Sequence, residues 1–415
     1  MKKWSFGRKA ESGEVAKGEQ IDLQMPRNAY YDNVSNVYHS LFLILMAALL
    51  VFVVVAMLCN VELFTYENFY YLAKDLSAAA DLLSGSGNVI NYETSARNQT
   101  FALYRGGLAV GGDSGLQLFT ATGRETLNTS PEYTKPVLLG SDKYLMVYDI
   151  GEKRYSIYNS FVCAHHEETE YPVYAGAMSD SGVFAVVTES YSHKGVVCLY
   201  NDRFQMIARY SQNDRVVCTS INQAGDRVMF ATAGMRNGSY VTTLVIGTPG
   251  EKQTQKLEIE GFFPYSIEFI DQYRVLLVGD KACYWFYVAD IEGAYAYDVK
   301  ECPAGEKLLY ADVSNKYGVL VYSVNPVTDT YRITVSDNNQ NWLMDETYDV
   351  NLTQIEAYEE YLFLLTGTGV IRMNPANRTY TQIECDTKGK RMLICAADEV
   401  LVCGGQSAIY YEFED

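Results

Sequence analysis

The sequence predicts an all-β protein, a β-propeller of eight four-stranded blades, carried behind one transmembrane helix. Three observations predict it. Nineteen residues, Leu41 to Cys59, form an unbroken apolar run. Tyr is abundant at 35 copies against 3 of Trp, and this enrichment favours pleated, half-buried surfaces. From about Asn88 onward, short apolar runs bounded by turn residues recur at the period of a propeller blade. The expected organisation is a cytoplasmic disordered tail over 1–38, the membrane helix over 39–61, a juxtamembrane helix and linker over 62–87, and an extracytoplasmic propeller over 88–415.

The tail holds six basic residues (Lys2, Lys3, Arg8, Lys9, Lys17, Arg27) and five acidic ones (Glu11, Glu14, Glu19, Asp22, Asp32) among few large aliphatics. A segment that poor in apolar surface cannot offset its ordering entropy. The mixture of cations and aromatics in Lys2 to Lys9 is compatible with the anionic inner leaflet. Its distance from the apolar run favours a solvated tail instead.

The run Leu41 to Cys59 contains no charge, amide or hydroxyl, and thirteen of its residues are Leu, Ile, Val or Phe. Each of those favours insertion by about 0.3 to 0.6 kcal/mol at a helix centre, and the run nearly spans a hydrocarbon core of roughly 30 Å. A cleaved signal peptide would show a short basic start and a small-residue cleavage site, neither of which is present. Lipidation at Cys59 is disfavoured by Leu58 before it and by the long tail. Basic residues lie before the run, and only Lys74 lies close behind it, which places the N-terminus in the cytoplasm by the positive-inside rule.

Behind the span, Phe69, Leu72, Ala73, Leu76, Ala80 and Leu83 recur at helical spacing, with Thr65 as a plausible N-cap. The stretch Ser84-Gly85-Ser86-Gly87 ends that helix. In the β region the strand positions that align are Leu108, Tyr144, Phe184, Val228, Val275, Val319, Leu362 and Val400, spaced 36 to 47 residues apart. Eight such runs indicate eight blades, with seven blades and an irregular segment as the alternative. Within one unit, Ser179 to Gly182, Asn201-Asp202 and His193 to Gly195 are turns between strand runs. The last unit is one strand short, and Val89 to Tyr92 is the segment expected to complete it and close the ring.

Residues Gly107 to Gly123, GLAVGGDSGLQLFTATG, resemble the repeat of quinoprotein-like propellers, a superfamily that includes quinone-dependent alcohol dehydrogenases and an outer-membrane assembly scaffold lipoprotein. The layout of tail, anchor and acidic propeller is similar to single-pass propeller proteins of Gram-positive bacteria. The resemblance implies either a scaffold or a quinone enzyme. The Trp usual in that repeat is replaced here by Arg124 to Leu127, and the adjacent cysteine pair of the dehydrogenases is absent from the sequence.

The net charge is -18, of which the part beyond residue 38 carries about -19. Such a surface repels phosphate backbones, so no nucleic-acid partner is expected. The external cysteines (Cys163, Cys198, Cys218, Cys283, Cys302, Cys385, Cys395, Cys403) lie mostly in apolar runs and are read as buried thiols, with Cys395 and Cys403 the pair best placed for a disulfide. His165-His166-Glu167-Glu168 offers metal-capable atoms, but neighbours on an extended chain point oppositely; the stretch is read as a solvated loop. Asp337-Asn338-Asn339 is read as a turn and not a calcium loop. Asn98, Asn128, Asn237, Asn351 and Asn377 open N-x-S/T triplets. No catalytic, cofactor or metal residue is assigned. The expected function is a membrane-tethered binding or scaffold module for an envelope protein, peptide or glycan. The alternative is a quinoprotein-like or other propeller enzyme with its site at the central channel.

Overall fold

The protein is described by a computed structural model over residues 29–59, 89–92, 98–130, 133–251, 254–289, 293–302, 306–314, 316–325, 327–337, 341–385 and 389–413. It divides into two compact units, Met1–Tyr70 and Tyr71–Asp415. The helix of the first unit runs Ala29–Cys59. The helix begins ten residues before position 39, and Tyr30, Tyr31 and Tyr38 continue it, because propagation from a nucleated apolar segment adds one hydrogen bond per residue fixed. The helix is apolar and long enough to cross a membrane, with its most hydropathic stretch at Val34–Phe52. The earlier tail and the segment expected to form a juxtamembrane helix lie outside the described residues.

The second unit is eight four-stranded antiparallel sheets. Blades 1 to 7 span 100–129, 136–168, 175–212, 215–260, 264–301, 307–349 and 352–384, each built from four consecutive strands. Blade 8 takes three strands from the C-terminus, Arg391–Ile394, Glu399–Cys403 and Ser407–Glu412, and its outermost from Val89–Asn91. Ile90 pairs with Ala408, and the Tyr92 hydroxyl donates to the carbonyls of Gly404 at 2.8 Å and Ser407 at 3.0 Å. The expected closure is thereby observed. Of the eight aligned positions, seven fall in the second strand of their blade; Tyr144 sits one residue before Leu145–Asp149.

Strand alternation explains why a blade needs two neighbours. Val228 and Phe230 pack against blade 3, while Met229 and Ala231 pack against blade 5. The same division holds at every interface, giving eight buried apolar clusters among the described residues, one per blade junction. Polar turns between the first and second strands repeat with the blades. Ser141, Asn222, Asp271 and Ser314 each accept backbone N–H groups two to five residues on.

Two glycines of the Gly107–Gly123 segment have local reasons. A Cβ on Gly107 would fall 2.0 Å from the Phe119 carbonyl oxygen, and Gly115 holds φ of +117° at the hairpin. Close approach of neighbouring backbone thus accounts for Gly107 and Gly115.

Candidate binding site in the central channel

The innermost strand of every blade starts at one common face, at Thr100, Pro136, Ala175, Arg215, Pro264, Lys307, Leu352 and Arg391. We refer to it as the mouth. Because side chains alternate, each innermost strand sends one set of residues to the preceding blade and the other to the following one. Ile267 and Phe269 join the cluster with blade 4, so Glu268 between them faces blade 6. By the same alternation Asp312, between Ala311 and Val313, faces blade 7, and Glu356, between Ile355 and Ala357, faces blade 8.

The result is a polar strip along the inner wall. Asp312 Oδ2 accepts the Ala357 N–H at 2.6 Å, tying blade 6 to blade 7. Gln354 accepts the Met392 N–H at 2.7 Å and donates to the Met392 carbonyl at 2.8 Å, tying blade 7 to blade 8. The Gln354 amide also donates to Glu356. Arg391 Nη2 meets Glu356 Oε1 at 3.4 Å, so the strip ends in a cation.

Burial dominates the acid strengths. It pushes Glu268 up to about 7, and the Asp312 charge adds to the effect. Asp312 is raised by burial to about 6, against the lowering pull of the Ala357 and Val313 N–H groups and of Arg391. Glu356 is raised to about 7 by burial and by Asp312, although Arg391 and Gln354 pull it down. These groups are part-buried, and like charges on neighbouring blades cannot all ionise without mutual cost. The strip therefore exchanges protons near neutral pH.

At the mouth, where blades 8, 1 and 2 meet, a cleft of about 330 Å³ is lined by Gln99, Thr100, Phe101, Pro136, Val137, Leu138, Lys390 and Arg391. Lys390 Nζ lies 3.5 Å from Gln99 Oε1, and the Gln99 amide donates to the Gly405 carbonyl at 3.4 Å. The Thr100 hydroxyl is buried in the cleft wall without a hydrogen-bond partner. Aromatic side chains crowd the same face: Tyr240, Phe263 and Tyr265 form a ladder with ring centroids 5.5 and 6.1 Å apart, and Tyr240 and Tyr265 are about half exposed. Tyr191 and Val327, on loops between second and third strands, and Met235, near the end of the second strand of blade 4, are more exposed still.

The residues considered from the sequence are placed elsewhere. His165 to Glu168 are not a loop but part of the outermost strand of blade 2, Cys163–Glu168. The strand forms because it pairs in register with Arg154–Tyr158, setting Ser156 opposite His166. His165 stacks on Phe204 at 4.8 Å and His166 Nδ1 contacts Ser156 Oγ at 2.9 Å, so the two rings diverge. No group of three His, Cys, Asp or Glu among the described residues is arranged to hold a metal ion. The Asp337 carboxylate accepts the Asn341 backbone N–H at 2.8 Å; Asn338 and Asn339 lie outside the described residues. No disulfide joins the eight cysteines of the propeller among the described residues; Cys163 is exposed, which differs from the expected burial, because it begins an outermost strand. Register also separates Cys395 from Cys403: Cys403 pairs with Arg391, and Cys395 follows the other end of that strand. All five Asn residues of the N-x-S/T triplets are exposed.

Sequence reasoning passed over the channel strip. A signal for it existed: Glu268, Asp312 and Glu356 are spaced 44 residues apart, the blade period itself. The repeat had been aligned on the apolar second strand, while channel chemistry lies on the first.

Comparisons with known proteins bear on the fold. The profile of a family of unknown function, DUF5711, matches residues 86–407. No curated protein matches the sequence. Among solved structures, a eukaryotic initiation factor is similar with a TM-score of 0.51 at 12% identity, covering 78% of this chain and 89% of that one. The WD40 domain of SCAP from fission yeast is similar with a TM-score of 0.51 at 8% identity, covering 79% of this chain and 98% of that one. At these identities the likeness is one of propeller fold.

Proposed function

This chain belongs to the DUF5711 family, and on that premise we propose that its propeller is a binding module for a protein or peptide partner, tethered to a membrane by the helix Ala29–Cys59. The observation that carries the reading is the concentration of exposed aromatic and apolar side chains around the channel mouth. Isolated exposed apolar residues are ordinary on soluble domains, whereas the Tyr240, Phe263 and Tyr265 rings touch one another and form a set on the mouth face, and such a set marks an interaction surface. Tyr is suited to the task, since it supplies large contact area at low entropy cost.

We further propose that the cell membrane is the one spanned and that the propeller lies on its outer side, on the strength of the basic residues before the apolar run. The quinoprotein-like resemblance and the likeness to Gram-positive membrane propellers fit a scaffold at the envelope. A second reading, an enzyme with its site in the channel, rests on Glu268 and Glu356 titrating near neutrality, as acid–base catalysts do.

A photo-crosslinking residue at position 265, in intact cells, tests the binding reading against the same residue at position 342, where Trp342 begins an outermost strand away from the mouth. Partner adducts from position 265 and not from 342 support it. Adducts from 342 alone would overturn it.

A further inference from the structure

We propose that the cleft between blades 8, 1 and 2 binds a monovalent carboxylate bearing a short apolar group, with Lys390 and Arg391 holding the carboxylate and Phe101, Pro136, Val137 and Leu138 holding the apolar part. The proposal deepens the binding-module reading by naming the ligand chemistry of the mouth, and its test uses a different readout.

Charge chooses the sign of the ligand. In a domain carrying about -19, this cleft gathers two adjacent cations on one strand start. Their present partners are held loosely: Lys390 to Gln99 at 3.5 Å and Arg391 to Glu356 at 3.4 Å both lie at the outer limit of hydrogen bonding. A carboxylate would replace those contacts with shorter, charge-assisted ones, and the Arg391 fork suits it in bidentate geometry. The Gln99 amide supplies a further donor at the same wall.

Field and volume narrow the class. A dianion such as phosphate would face Glu356 and the surrounding acidic surface with twice the charge, so a monoanion is favoured. The volume of about 330 Å³ lies at the small end of ligand pockets and suits an amino-acid-sized acid or the last residue of a peptide chain. Four of the eight lining residues are apolar, which selects an acid with an aliphatic substituent.

Glu356 is the competitor. It takes Arg391 when ionised, and it faces Arg391 on blade 8, Gln354 on its own strand and Asp312 on blade 6, with Glu268 of blade 5 beyond. Protonating Glu356 releases Arg391 and removes a charge that repels the ligand. Carboxylate binding is thereby linked to proton uptake, and affinity rises as pH falls through about 7.

The test is isothermal titration of the full chain in nanodiscs with N-acetyl-leucine, its amide, and a hexapeptide ending in leucine with a free or amidated terminus. The acid should bind and its amide should not. The affinity should fall on the order of tenfold from pH 6 to pH 8, the size expected for about one linked proton. Lys390→Gln with Arg391→Gln, both exposed, should lower affinity by about tenfold or more. Glu356→Gln should strengthen binding at pH 8 and flatten the pH dependence. Tighter binding of the free-terminus peptide than of the acid assigns the natural source to a chain end; equal or weaker binding assigns it to a free acid. Equal binding of acid and amide, or wild-type affinity in the double Gln variant with its melting temperature unchanged, overturns the proposal. Crosslinking at position 265 is unaffected by that failure.

Discussion

Replacing Ile90 with Ala tests the closure of the ring. Ile90 is fully buried, is paired with Ala408, and sits in the cluster of Phe101, Leu108, Leu401 and Tyr410 that joins blades 8 and 1. Truncating a buried Ile costs about 2 to 5 kcal/mol, through lost transfer energy and the cavity left behind. If the ring melts as one unit of about 320 residues, an unfolding entropy of about 2.1 cal/mol/K per residue turns this into a drop of about 3 to 7 °C. Val89, half exposed on the same strand, is the control: Val89→Ala should change stability by no more than about 0.5 kcal/mol. Tyr92→Phe removes the donor to Gly404 and Ser407 and should cost about 1 to 2 kcal/mol. Scanning calorimetry of the full chain in detergent measures all three. An Ile90→Ala protein melting within a degree of wild type would show that the N-terminal strand does not hold the ring shut.

A chain truncated to begin at Asn88 should fold in water without the anchor, whereas one beginning at Thr100 should melt well below it, because the last sheet then has an unpaired edge; equal melting temperatures would refute the closure. Protease added to spheroplasts should digest the propeller and spare an epitope placed before residue 29; protection of the propeller would reverse the proposed orientation. Stability should fall as pH rises from 5.5 to 8. Glu268, Asp312 and Glu356 have folded pKa values raised above those of the unfolded chain, so the stability they contribute is complete below about pH 4 and lost through about 6 to 7. Allowing for their partial exposure, the loss is about 1 to 2 kcal/mol per group, and Glu356→Gln should remove one share of it. A flat melting temperature across that range would count against a buried acidic strip.

Much of the architecture was legible because local chemistry specifies it. The turns around Ser179 and Asn222 carry their own capping side chains, and Val228 to Thr232 alternates between two buried faces, so every residue of the run is apolar or small. The missing fourth strand of the last unit was legible because a sheet with an open edge asks for a partner, and Val89 to Tyr92 was the unassigned β-rich segment at the other end of the β region. The histidines misled because an outermost strand, half exposed along Cys163–Glu168, has the composition of a loop and is made a strand only by pairing with Arg154–Tyr158.

By itself the sequence determined the apolar helix, the eightfold repeat and the strand that closes it, since periodicity and turn chemistry act over a few residues and are written in order along the chain. Only the tertiary structure decided the channel strip and the mouth cleft. Glu268, Asp312, Glu356 and Arg391 lie 35 to 44 residues apart, and each is an ordinary exposed charge in an extended strand until the ring places its blade beside the next. Their proximity, their raised acid strengths and the cleft at Lys390 and Arg391 come from the curvature of a closed ring, a property no single blade possesses.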